Sequence, residues 1–292
     1  MFRVFSRLVA FVLCCSFFSS VAESQDRPDG PERSRSYVKT GAESNADPGA
    51  TKKSATVSDD QYYEVRSYVL ADQADAAAID EYLSKALLPA LGRQGVGPVG
   101  VFTNSENDQT GSSRIIVVIP YDDANAIAAV KSRVEAEPEY QAAGKAYLDR
   151  GPDESLYQRI ESELLVAMDC MPIAKVPEGT LNNQDRVYEL RVYESPNERL
   201  GNLKVEMFNS GEVPIFLACD IQPIFIGQSL VGPYTPNLTY LTMYSSEAAR
   251  EKSWIAFREH PDWQVLKEVE KYKGTVSKIH RYVLIAKAYS QM

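Results

Sequence analysis

The amino-acid sequence predicts an α+β protein made of two copies of one β-α-β-β-α-β unit, and three observations carry that reading. Residues 237–264, NLTYLTMYSSEAAREKSWIAFREHPDWQ, read as strand, turn, helix, His-Pro stop and short helix, and an earlier stretch, RIIVVIPYDDANAIAAVKSRVEAEPEYQ, repeats the pattern. Tyr121 and Tyr244, Pro138 and Pro261, and Tyr140 and Trp263 all stand at one separation (244 − 121 = 261 − 138 = 263 − 140 = 123). A constant offset across a helix and its stop marks a duplicated structural unit. Finally, 292 residues with 44% apolar content suffice for the cores of two ordinary domains.

Each copy opens on a strand, YYEVRSYVL at 62–70 and VYELRVYES at 187–195, both alternating with period two. Tyr63, Val65 and Ser67 oppose Glu64, Arg66 and Tyr68; Tyr188, Leu190 and Val192 oppose Glu189, Arg191 and Tyr193. A helix over 74–91 follows, with Ile79, Leu83, Ala86, Leu87 and Ala90 on one stripe and Asp72 or Asp75 available as cap. Its counterpart starts at Glu198 and is expected to break early at Gly211. Pro89 and Pro214 keep the spacing of the opening strands (214 − 89 = 188 − 63 = 125). Second strands at 98–103 and 223–228, third strands at 114–121 and 238–244, and helices ended by Pro138 and Pro261 come next. RIESELLVAMD from Arg159 and KIHRYVLIAKA from Lys278 supply the closing strands.

This order is that of the ferredoxin-like βαββαβ unit, whose sheet has helices on one face only. The bare face of each sheet needs cover, and a tethered second copy supplies it. The expectation is two ferredoxin-like repeats, at 60–172 and 186–290, packed face to face as an intramolecular dimeric α+β barrel: a monomer that is an internal pseudo-dimer.

The N-terminus carries Arg3 and Arg7, an apolar run of eleven residues over 8–18, and the small-x-small triplet Ser20-Val21-Ala22. A membrane span needs about 20 apolar residues, so the run reads as a cleaved signal peptide, 1–22, and not as a stable membrane span. An exported protein, periplasmic or extracellular, is expected. Residues 23–59 are polar, with Tyr37 their single aromatic, and read as a disordered linker. Outside the signal only Cys170 and Cys219 remain; they read as two small buried hydrophobes in preference to a disulfide.

With Lys+Arg 31 against Asp+Glu 40 the net charge is −9 and no basic cluster interrupts it, which excludes a nucleic-acid partner. Two histidines leave little room for triad or Cys/His chemistry. His260 precedes Pro261 and reads as a helix C-terminal charge. His280 alternates with Tyr282 and Leu284, opposite Ile279, Val283 and Ile285, and so points between the sheets. Glu161 and Glu163 share the equivalent face. Adding Glu64, Arg66, Tyr68, Glu189, Arg191 and Tyr193 gives a polar inter-sheet layer: a candidate binding site, or a set of mutually satisfied charges. No phosphate-binding glycine loop and no metal-ligand spacing occur, so no cofactor and no catalytic residue are assigned.

The YEVRSY and YELRVY openings, the Tyr-ending third strands and SWIAFREHPDWQ together resemble the NIPSNAP family over residues 61–289. The likeness is strong in copy two and weaker in copy one, whose helix lacks the Trp. The resemblance implies the barrel fold and small-molecule binding, and no agreed catalytic residues. The expected function is therefore a non-catalytic small-molecule binding or scaffold role; the alternative is an α+β barrel enzyme, monooxygenase- or isomerase-like, using His280 or a Glu as base.

Overall fold

The described residues form eight strands: β1 (Tyr62–Leu70), β2 (Gly100–Asn104), β3 (Arg114–Tyr121), β4 (Tyr157–Ala167), β5 (Val187–Glu194), β6 (Gln222–Val231), β7 (Asn237–Tyr244) and β8 (Lys278–Ala286). The computed structural model describes residues 60–71 and 76–292. The expected signal peptide, the linker at 23–59 and the Asp72 or Asp75 cap lie outside the described residues.

The strands close a barrel in the order β1-β3-β2-β8-β5-β7-β6-β4. The first half reads β4-β1-β3-β2 and the second β8-β5-β7-β6, one arrangement used twice. Two antiparallel seams join the halves: β2 to β8 through Phe102 and Ala286, and β4 to β6 through Leu165 and Ser229. This corrects the expectation of two sheets stacked face to face. Each half alone would leave two strand edges with unpaired N–H and C=O groups, and joining edge to edge pairs part of each: Phe102 to Asn104 with β8 and Leu164 to Ala167 with β6.

α1 (Ala76–Tyr82) and α2 (Leu88–Arg93) are joined by a π-helical turn at Leu83–Leu87; α5 (Glu198–Met207) and α6 (Val213–Ala218) are joined by another at Phe208–Glu212. The equivalent prolines explain both. Pro89 and Pro214 cannot donate to the carbonyl four residues back and their rings crowd it, so the preceding turn widens. In the first copy the Leu88 N–H reaches the Leu83 carbonyl instead. The second helix thus continues past Gly211, contrary to expectation. α3 (Ala124–Ala136) and α4 (Pro138–Leu148) repeat as α7 (Glu247–Glu259) and α8 (Pro261–Leu266), capped by Asp123 and Ser246 and punctuated by the prolines. His260 caps the start of α8: its Nδ1 accepts the Asp262 N–H at 3.2 Å. An accepting imidazole nitrogen carries no proton, so this contact uses His260 as an acceptor where a C-terminal charge was expected.

Among the described residues three apolar clusters result. The lumen holds Tyr63, Val65, Phe102, Tyr188, Leu190 and Leu284 among others. The other two lie outside the barrel under the helices, one around Leu83 and Val117, one around Phe216 and Tyr240. Cys170 and Cys219 are free thiols.

Candidate functional site

Residues paired across a ladder share a face, so the strand register decides which side chains enter the lumen. Ser67 pairs with Glu161 and Val65 with Glu163; Val192 pairs with His280 and Leu190 with Tyr282. Since Val65, Leu190 and Tyr282 belong to the luminal cluster, Glu161, Glu163 and His280 share its face. Arg114 enters by the same parity, two residues before luminal Ile116.

The structure divides the predicted polar layer in two. Glu64, Arg66, Tyr68, Glu189, Arg191 and Tyr193 lie on the outer face, under the helices: Tyr68 belongs to the first outer cluster and Tyr193 to the second. The placement of these six between the sheets is corrected. The lumen is narrow and filled by rings, with Tyr63 against Phe225 and Phe102 against Tyr188 at 4.8 Å, which leaves nothing to solvate six polar side chains. The helix side supplies partners. Arg191 donates to Glu189 and to the Tyr193 hydroxyl, which in turn accepts from Tyr240 at 2.8 Å. Arg250 of α7 donates to Glu189 at 2.6 Å. The expected networks of Glu64 with Arg66 and Glu189 with Arg191 thus exist, on the other face of the sheet.

At one barrel mouth the remaining residues converge. Arg114 donates to Glu161 at 2.7 Å and to Ser67 at 3.0 Å, and its guanidinium stands 5.5 Å from the Tyr282 ring centre. Burial raises the Glu161 pKa, but the hydrogen bonds from Arg114 and Arg159 outweigh it and hold the carboxyl below its ordinary value. Glu163 goes the other way. Burial pushes its pKa up, against the Asn237 amide and the Thr239 hydroxyl, which donate to it at 2.6 and 3.0 Å. Burial also pushes the Tyr282 phenol up to about 12. His280 bonds Glu194 through Nε2 and stacks on the Tyr234 ring at 4.2 Å.

Arg114, His280 and Tyr282 line a cleft of about 580 Å³ with Thr110, Tyr234 and Arg281 on its walls. Beneath it a cavity of about 40 Å³ touches Val65, Glu161, Glu163 and Leu190, and the ring layers close the lumen below. The mouth offers hydrogen-bond donors, an imidazole held by a carboxylate and two carboxyl groups of opposite pKa tendency. Such an array can orient a small polar molecule and exchange a proton with it.

Sequence reasoning missed Arg114, Glu194 and Tyr234. The first two were within reach, because strand parity puts Arg114 with Ile116 and Glu194 with Val192. Tyr234 lies between β6 and β7, where no periodicity applies.

Residues 188–291 match the family model of NIPSNAP proteins. The match falls on the second repeat and leaves the first outside it. No curated protein matches this chain. A monooxygenase-like protein from Fusobacterium nucleatum subsp. nucleatum is similar in structure, with a TM-score of 0.51 and 11% identity over 78% of this chain and 92% of that one. An uncharacterised NIPSNAP-like domain protein from Burkholderia xenovorans has 17% identity and a TM-score of 0.33, covering 37% of this chain and 90% of its own. The first likeness is one of fold: the residues that match the NIPSNAP model form half of the closed eight-stranded barrel.

Proposed function

We propose that this chain is an exported, non-catalytic binding protein that holds a small polar organic molecule at the mouth of the barrel formed by its two ferredoxin-like repeats. The observation that carries the reading is the cleft of about 580 Å³ in which Arg114, Tyr234, His280 and Tyr282 meet above a lumen packed with rings. A scaffold role alone needs no such opening. Its volume lies within the range of about 300 to 1,000 Å³ typical of small-molecule sites, and the polar groups that meet there come from three separate segments, 110–114, Tyr234 and 280–282.

The Glu194–His280 contact supports a second reading, an α+β barrel enzyme. A carboxylate that fixes one imidazole nitrogen orients the ring for general-base work, and the second nitrogen is then free for a substrate.

The test is a fragment screen by protein-observed NMR. Hits are expected to move the signals of Thr110, Tyr234, His280 and Tyr282 together, and Tyr234→Ala is expected to abolish them. A screen whose hits all avoid the mouth overturns the reading, while a hit converted to product in wild type and not in His280→Gln decides for the enzyme. N-terminal sequencing of protein from its own host tests export, with Glu23 as the expected first residue.

A further inference from the structure

The two repeats share a motif on the outer sheet face but cover it differently. Glu64, Arg66 and Tyr68 of β1 correspond to Glu189, Arg191 and Tyr193 of β5 (189 − 64 = 191 − 66 = 193 − 68 = 125). In the second repeat Trp254 of α7 closes over the motif, its ring centre 3.5 Å from the Arg191 guanidinium carbon, and Arg250 takes the free oxygen of Glu189. In the first repeat the corresponding positions of α3 are Lys131 and Ile127 (254 − 131 = 250 − 127 = 123). Lys131 turns outward, its side chain 72% exposed and beside Glu135. Where the indole would be, a groove of about 470 Å³ runs between sheet and helices.

Its floor is Arg66, and its lining is largely apolar or aromatic, with Leu87, Val130, Val134, Tyr82 and Tyr140 beside the polar Lys131, Glu135, Ser162 and Glu163. The edges of the Arg66 guanidinium are already used. Nε donates to Glu64 at 2.9 Å, a second nitrogen lies 2.8 Å from the same oxygen, and the Tyr68 hydroxyl is a further partner. What remains is the flat face, which attracts a π-system above it and has no spare donor pair to clamp an anion.

We propose that this groove is a second ligand site, specific for a planar aromatic molecule whose ring lies on Arg66 as the Trp254 indole lies on Arg191. The site goes beyond the barrel mouth and shares no ring with it. The protein supplies its own template: the first repeat lacks the internal aromatic lid and has the cation, the hydrogen-bonded carboxylate and a largely apolar lining that suit an aromatic ring. The exchange of Trp and Arg for Lys and Ile turns a sealed core position into a receptor.

Indole is the probe, titrated into the full chain and followed by protein NMR and calorimetry. Wild type is expected to bind one equivalent saturably, with shifts at Ile127, Val130 and Lys131. Lys131→Trp supplies the missing lid in cis and is expected to abolish binding while raising the melting temperature. Trp254→Ala opens the matching pocket and is expected to bind a second equivalent; should that variant fail to fold, Lys131→Trp still decides. Cyclohexanol, apolar but not planar, is expected to compete at least ten-fold less well. The proposal is overturned by indole binding that survives Lys131→Trp, by no saturable binding up to millimolar indole, or by equal competition from cyclohexanol.

Discussion

The guanidinium carbon of Arg191 lies 3.5 Å from the centre of the Trp254 ring, so a strand cation and a helix indole are packed face to face under α7. Glu189, fully buried, holds the same cation from the side, and Arg250 holds the carboxylate from above. Burying a charge is tolerable only when partners replace its water, and here every partner comes from the second repeat.

Arg191→Ala should therefore destabilise the protein by about 3 kcal/mol, toward the lower end for a broken buried pair because Arg250 still neutralises Glu189. Arg66→Ala should cost less than half as much, since Arg66 has no ring over it and is 21% exposed. Urea denaturation of both variants checks the order; equal losses would mean that the Trp254 lid adds nothing.

A second buried pair has a built-in control. Lys204 donates to Glu212 at 2.7 Å with side chains 5% and 1% exposed, and the first repeat has Ile79 and Leu87 at the matching positions (204 − 79 = 212 − 87 = 125). Burial pushes the Glu212 pKa up and Lys204 opposes it, so Lys204→Met alone strands a carboxyl in the core. That variant should lose about 3 to 5 kcal/mol, whereas Lys204→Ile with Glu212→Leu, the first repeat's own pair, should be neutral or up to about 4 kcal/mol more stable. A double variant as unstable as the single one would show that the pair stabilises the fold by itself.

Glu163 gives a pH dependence of known sign. Its pKa is raised by burial in the folded state, so the folded chain keeps a proton that the unfolded chain releases. Stability contributed this way is full below the unfolded value of about 4.3, and it is lost as pH rises from there through the raised folded value. Glu163→Gln has no such titration. The stability difference between variant and wild type should move in the variant's favour as the pH rises across that window, and a difference constant with pH would mean that folding leaves the Glu163 pKa unshifted.

The seams between the repeats predict the outcome of dissection. A fragment of residues 61–292 should be monomeric and unfold in one transition. Residues 186–292 alone expose the β6 and β8 edges and the luminal side of Tyr188 and Leu190, and should dimerise or aggregate. Size-exclusion chromatography with light scattering reads the difference; a stable soluble monomer of the second repeat would contradict the need for closure.

Much of the architecture is local and so was written in the sequence. The period-two strands, the helices and their caps, the Pro138 and Pro261 stops and the duplication at offsets of 123 and 125 are set by neighbours a few residues apart, and the parity of Glu161, Glu163, His280 and Tyr282 followed from alternation alone. What tertiary structure decided is which face of β1 and β5 turns inward. Both faces mix aromatic and polar groups, so alternation separates Tyr63 and Val65 from Glu64 and Arg66 without saying which set meets the helices. That choice depends on partners distant in the chain: Trp254, Arg250 and Tyr240 for one set, Phe102, Phe225 and Leu284 for the other. The edge-to-edge closure is likewise non-local, because a strand's side-chain pattern shows what its faces bury and carries no record of what its backbone edge will pair with.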